Sequence, residues 1–429
     1  MIKSSANNVA KSKKEIAKGH EKSVSNVGHF GIIVDFLMRA VQLISLAHIA
    51  LSLIAIIIAL VIIEILIRVA EEERYDFSAC QSLDRNFHHV MIPNTTCRFK
   101  AEEWDTTYKI NDIGLRDEEI SPQKNRFRIL LLGDSFAQGY GVAQEETFGE
   151  VLESQGANLE VINSGVFGYS PLIEYLYLKK RGLAFKPDLV ILEFSLTDFF
   201  EDRLRFGELK LSYPDKSDEE IKKLIREGNI EFDWNRISSQ GRAVNVTKLQ
   251  ELVFKIKQSL KKNFRIYKIV ADLWEKRDEV QQDVIYQGNI DRDILALVRG
   301  DKINDKNWEK LWELPIEHVQ LVKKELDRAG IPLVVVAIPD AFEVSIREWP
   351  GRKSLEIPSD FLDPRGDWQD ELSKRLTEFN IPLVNLISDF RQSNTYPLYF
   401  DSDGHFRQSG HRLAASVILR ELVKYFDLQ

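Results

Sequence analysis

The sequence predicts an α/β protein: a parallel sheet covered by helices on both faces, with a helical insertion and an apolar N-terminal helix. Three observations carry this. Short apolar runs alternate with helical patterns across residues 126–429, the arrangement that builds parallel sheets from strand–helix–strand units. More than a hundred residues separate Asp198 from Pro315, where strand–helix connections usually take about 2–6. Near the N-terminus, the 23 residues from Val41 to Ile63 carry no formal charge.

Taken in chain order, residues 1–30 are polar and rich in Lys, Ser and Asn, which predicts a disordered cytoplasmic tail. Residues 31–68 read as a transmembrane anchor. At about 1.5 Å per residue, the uncharged run exceeds the roughly 30 Å hydrocarbon core of a bilayer. Arg39 and Glu64 bound it. A core helix seldom carries so long an uninterrupted run. A cleaved signal peptide would have a shorter apolar region and a small-residue cleavage site, whereas Ile65-Leu66-Ile67-Arg68 follows here. Lys3, Lys11, Lys13, Lys14, Lys18 and Lys22 precede the run and Glu71-Glu72-Glu73 follows it. The positive-inside rule therefore expects a single-pass protein with a cytoplasmic N-terminus and a periplasmic or extracellular remainder.

A membrane-proximal segment, 69–125, holds both cysteines, Cys80 and Cys97. Beyond the anchor they would meet a non-reducing compartment, where a bridge could form and stabilise the segment by about 3 kcal/mol. The domain at 126–429 follows. Its expected strands are Arg128–Leu132, Leu159–Ile162, Leu189–Phe194, Leu333–Ile338 and Leu383–Ile387, and its expected helices include Pro171–Leu183, Pro315–Ala329, Trp368–Phe379 and His411–Phe426. The insertion, at about 203–314, is helical in pattern. Ser217 and Glu220 form a capping box before a helix that Gly228 stops. Thr247 and Gln250 repeat the pattern before Leu249, Leu252, Val253, Ile256 and Leu260, which share one face. Its role is either packing or a lid over the active end of the sheet.

Composition excludes some functions. A net charge of −8 without a basic face argues against a nucleic-acid partner. No Cys/His cluster has zinc-site spacing, so neither a metal nor a cofactor is expected.

What remains is the chemistry of two short motifs far apart in the chain. Gly133-Asp134-Ser135-Phe136 directly follows the apolar run Ile129–Leu132, and Asp403-Gly404-His405 lies near the C-terminus. Ligands of parallel sheets sit at the C-terminal strand ends, where Ser135 falls. Serine becomes a nucleophile when an imidazole takes its proton and a carboxylate orients that imidazole. Of His88, His89, His318, His405 and His411, only His405 combines a nearby carboxylate with a loop between a strand-like run and the final helix. Ser135 is thus the candidate nucleophile and His405 the candidate base.

These motifs, with Asn163-Ser164-Gly165 and the strand ending near Asp198, make residues of about 105–427 outside the insertion resemble the GDSL-type, or SGNH, hydrolases. Asn111-Asp112-Ile113-Gly114-Leu115-Arg116-Asp117 looks like the lead-in of membrane-anchored or exported bacterial members. The resemblance implies a flavodoxin-like three-layer fold with a five-stranded parallel sheet, and hydrolysis or transfer of acyl esters, often on glycans. It implies that Asp403 orients His405, with Asp401 as the alternative acid and Ser402 at the offset many members use. It also implies an oxyanion hole made of the Ser135 and Gly165 amides and a third donor. That third block, usually Gly-x-Asn-Asp, reads Ser195-Leu196-Thr197-Asp198, so Thr197 stands in the asparagine position. The replacement leaves a weaker donor, an altered reaction or a lost activity open.

The leading expectation is a membrane-anchored serine esterase that removes an acyl group, such as acetyl, from envelope carbohydrate. An O-acyltransferase would use the same acyl-enzyme with a sugar hydroxyl as acceptor. A scaffold that binds envelope polymer or partner proteins is the non-catalytic alternative.

Overall fold

The computed structural model describes residues 48, 51–65, 80–240 without 102 and 157, and 305–426 without 346, 349–367, 402 and 403. The chain divides into two compact units, Met1–Glu72 with Val253–Glu275, and Glu73–Leu252 with Lys276–Gln429. In the first, residues 51–65 are helical and their Leu and Ile side chains are exposed. Among the described residues, no helix is long and apolar enough to cross a membrane. Most of the expected span before residue 51, and the tail at 1–30, lie outside the described residues.

The second unit is built on five parallel strands: β5 (Phe127–Leu132), β6 (Leu159–Asn163), β7 (Leu189–Phe194), β8 (Leu333–Ala337) and β9 (Leu383–Asn385). Their order is β6-β5-β7-β8-β9, the second strand lying outside the first, which is the flavodoxin-like order. Alternate side chains leave opposite faces of a strand. Leu130, Leu132, Val190, Leu192 and Val335 accordingly enter one core, while Ile129, Leu131, Ile191, Val334 and Val336 enter the other. The first core is covered by helices Pro171–Lys180, Asp198–Ser212 and Asp305–Ala329, the second by Phe148–Gln155 and Gln408–Leu422. Burial on both faces explains why these strands read as unbroken apolar runs.

Four short strands precede the sheet. β1 (Gln81–Asp84) pairs antiparallel with β2 (His88–Met91), and β3 (Thr96–Lys100) with β4 (Asp105–Lys109). Sequence reasoning assigned no strands here, because none of the four carries more than two apolar residues. Cys80 and Cys97 form a disulfide that ties the two hairpins together, and both share a core with Leu130, Leu192 and Tyr169.

Element boundaries differ from expectation in instructive ways. Pro315 lies inside the helix Asp305–Ala329 rather than opening it, and the helix Asp198–Ser212 runs through position 203. The insertion limits at about 203 and 314 therefore fall within continuous helices. The last strand stops at Asn385, and Ile387 instead opens the helix Ile387–Arg391. The capping box holds: the Ser217 side chain accepts from the Glu220 N–H and Gly228 ends the helix Asp218–Glu227. Residues 241–304, with the second capping pattern at Thr247, lie outside the described residues.

Candidate active site

β5 delivers the chain to a one-turn helix, α1 (Ser135–Gln138). Asp134 caps it, accepting from the Phe136 N–H at 2.8 Å, and its own N–H donates to Glu193 Oε2 on the adjacent β7 at 2.9 Å. Burial, then the Asp134 charge, holds the Glu193 carboxyl well above the usual range. The nucleophile candidate is thus mounted at the joint of two central strands.

His405 arrives from the other end of the chain. A bridge pairs Tyr399 with Phe406, and the Phe400 N–H donates to His405 O and the Arg407 N–H to Leu398 O, both at 2.8 Å. The result places His405 Nε2 2.8 Å from Ser135 Oγ. Ser135 Oγ lies 3.5 Å from Asp134 Oδ1, so the shorter contact to the imidazole takes the hydroxyl proton. Tyr140 stacks on the imidazole at 4.3 Å and 27°, and Phe136 lies 5.0 Å from it. These rings orient His405 by contact, and sequence reasoning did not single them out.

An Nε2 that accepts from serine leaves the ring proton on Nδ1, which an orienting carboxylate would receive. Asp403 lies outside the described residues. Asp401 is exposed, with its carboxylate 3.9 Å from the Arg407 guanidinium, and it makes no hydrogen bond to His405 among the described residues. His411, the other nearby imidazole, is buried with Nδ1 accepting from the Phe148 N–H at 3.2 Å. Burial, with Arg116 and His405 nearby, lowers its pKa to about 3, which keeps it neutral.

The expected oxyanion donors are placed differently. The Gly165 N–H donates to Asn163 Oδ1 at 3.0 Å rather than facing an open site. Its lack of a side chain serves packing instead, since a Cβ would sit 2.6 Å from Ala137 Cβ and from the Gln138 nitrogen. Thr197 Oγ1 lies 3.0 Å from Asp134 Oδ2 and 2.8 Å from Ser195 Oγ. Its proton goes to the carboxylate, so it is not aimed at a reacting oxygen. In both cases a short polar neighbour satisfies the donor locally. Gly168, missed from sequence, has φ +76°, and its N–H has no partner among the described residues. Beside His405 the C-terminal ends of the inner strands form a small cavity, walled by Phe136, Leu196 and Ile338 and by the polar Ser195, Thr197 and Asp340.

The 111–117 segment braces this assembly. Asn111 Oδ1 accepts from the Ile113 and Leu115 amides. Buried Arg116 donates to the carbonyls of Gln138 (2.8 Å), Gly139 (2.6 Å) and Val142 (2.6 Å), and Asp117 Oδ2 accepts from the Asn163 N–H. The segment therefore holds both loops that flank Ser135. Among the described residues, no group of three or more His, Cys, Asp or Glu could hold a metal ion.

No protein-family model and no curated protein matches the chain. Solved structures similar to it include a lipolytic protein of the G-D-S-L family from Desulfitobacterium hafniense, at 12% identity, covering 69% of this chain and 99% of that one with a TM-score of 0.32. A lipase/acylhydrolase from Enterococcus faecalis is similar at 15% identity, 70% and 98% coverage, and a TM-score of 0.31. An acetyl xylan esterase is similar at 12% identity, 69% and 99% coverage, and a TM-score of 0.34. Scores this low carry no inference for this chain, whose functional reading rests on the site.

Proposed function

We propose that the chain is a serine ester hydrolase that works through an acyl-enzyme. The observation that carries this is the 2.8 Å contact between His405 Nε2 and Ser135 Oγ at the C-terminal end of β5. His405 takes the Ser135 proton as Oγ attacks the ester carbonyl, then gives it to the departing alcohol oxygen. Water, deprotonated by the same imidazole, releases the acid. The first-turn N–H of Ser135 has no intrahelical partner and serves as one oxyanion donor, with the Gly168 N–H taking the place expected of Gly165. Asp403 is the orienting acid in this reading.

The finer reading is removal of O-acetyl groups from envelope carbohydrate by a membrane-anchored enzyme. Its support is the uncharged N-terminal run and the small cavity beside His405. The test is labelling of the full-length protein with a fluorophosphonate, comparing wild type with Ser135→Ala and His405→Ala. Labelling should vanish in both variants. A folded wild type that does not label removes the esterase reading. Adding acceptor sugar to a turnover assay then separates hydrolysis from transfer, by free acid against new ester.

A further inference from the structure

The β1–β2 hairpin carries two buried histidines that the reaction above does not use. His89 Nε2 lies 2.7 Å from the carbonyl oxygen of Phe167. A carbonyl only accepts, so Nε2 bears the proton. Burial first, with the neighbouring His88, lowers the His89 pKa to about 3, which leaves Nδ1 bare. His88 Nδ1 stands 2.6 Å from that bare nitrogen and must therefore donate to it. His88 Nε2 faces two groups, Arg205 Nη1 at 3.0 Å and Glu208 Oε2 at 3.1 Å. The chain of donation runs one way, from His88 to His89 to Phe167 O.

The same guanidinium donates through Nη2 to Gly168 O at 3.3 Å, so two consecutive carbonyls are held by one network. Glu208 Oε2, 3.1 Å from Arg205 Nη1, balances its charge. His88 has φ +65°, a left-handed conformation uncommon for a residue with a side chain. Such strain is retained where surroundings impose it, often at functional sites. Tyr169 faces the His89 ring and donates to His89 O, while Phe232 and Trp234 face the His88 ring.

The held turn borders the reacting serine. The Phe167 N–H donates to Gln138 Oε1 on α1, and the Phe167 ring lies 5.6 Å from Tyr140, which stacks on His405. The Phe167–Gly168 peptide is trans, and a planar trans peptide points its C=O and N–H to opposite sides. Fixing Phe167 O on His89 therefore fixes the direction of the Gly168 N–H.

We propose that His88 and His89 are positioning residues of the active site, a directed hydrogen-bond relay by which the N-terminal hairpin sets the orientation of the Phe167–Gly168 peptide. This rests on the esterase reading, which fluorophosphonate labelling tests independently.

The experiment compares His89→Phe with His89→Gln in the full-length chain. The first keeps a ring but has no donor; the second keeps an N–H of similar reach. His89→Phe should lower kcat on p-nitrophenyl acetate by about 100-fold with KM unchanged, the scale of a misplacement of about 1 Å. His89→Gln should recover most of that loss, and both variants should melt near wild type. Wild-type kcat in His89→Phe, or equal losses in the two variants, overturns the relay. If wild type does not label, or His89→Phe does not fold, nitrogen NMR of 15N-histidine wild type decides. A bare His89 Nδ1 with a protonated His88 Nδ1 supports the relay, and any other tautomer pair overturns it.

Discussion

Arg116 offers a test of how the 111–117 segment supports the site. Its guanidinium is buried, lies 3.7 Å over the Tyr108 ring, and spans three backbone carbonyls of residues 138–142. Replacing it with lysine keeps the charge but exchanges a planar fork for a single ammonium, which can serve one of the three carbonyls. Hydrogen bonds to charged groups contribute about 1.5–3 kcal/mol each. Losing two, with partial relaxation, should cost about 3 kcal/mol, enough to measure within the roughly 5–15 kcal/mol stability of folded domains. Tyr140 lies within the released loop and packs on His405, so kcat should fall by about 10-fold as the imidazole loses its restraint. Urea denaturation and turnover of p-nitrophenyl acetate measure the two effects in the same preparation. An Arg116→Lys protein with wild-type midpoint and wild-type kcat would refute the bracing role.

Thr197→Val keeps the side-chain shape and removes the hydroxyl that donates to Asp134. Its kcat should fall less than about 10-fold, and a fall of about 10²–10³, the cost of an oxyanion donor, would restore Thr197 to that role. Cys97→Ser opens a bridge of sequence separation 17, which should lower stability by about 3 kcal/mol on chain-entropy grounds. An unchanged urea midpoint would contradict it. His411→Asn keeps an acceptor for the Phe148 N–H and removes a buried imidazole with pKa about 3 in the fold against 6.5 outside it. Below pH 6.5 the unfolded chain binds a proton that the folded chain refuses, so wild-type stability falls as pH falls. Between pH 6.5 and 4.5 this group contributes about 2 kcal/mol to that loss. The variant should show a correspondingly flatter dependence, and parallel curves would show that His411 does not titrate this way.

Much of the sheet was legible in the sequence. β5, β7 and β8 are buried on both faces, so their apolar runs are continuous and their positions could be read within a residue or two. The hairpins were not legible: Gln81–Asp84 has no buried residue, and Asp105–Lys109 buries only Thr106 and Tyr108, which leaves no apolar run to read. Pro315 misled because a proline commonly opens a helix, yet packing carried this helix through it. The placement of His405 beside Ser135 depends on a bridge and two backbone hydrogen bonds that no local pattern encodes.

The sequence by itself determined the alternation of strands and helices, the serine at a strand end and the late histidine, because these depend on residue type and spacing. Only the tertiary structure decided which donors stay open. Gly165 and Thr197 have suitable chemistry, but Asn163 and Asp134 occupy their protons, while Gly168 keeps an N–H that no described residue accepts. Hydrogen-bond pairing is settled over a few tenths of an ångström by neighbours remote in sequence. The same holds for His89, whose tautomer follows from a partner 78 residues away.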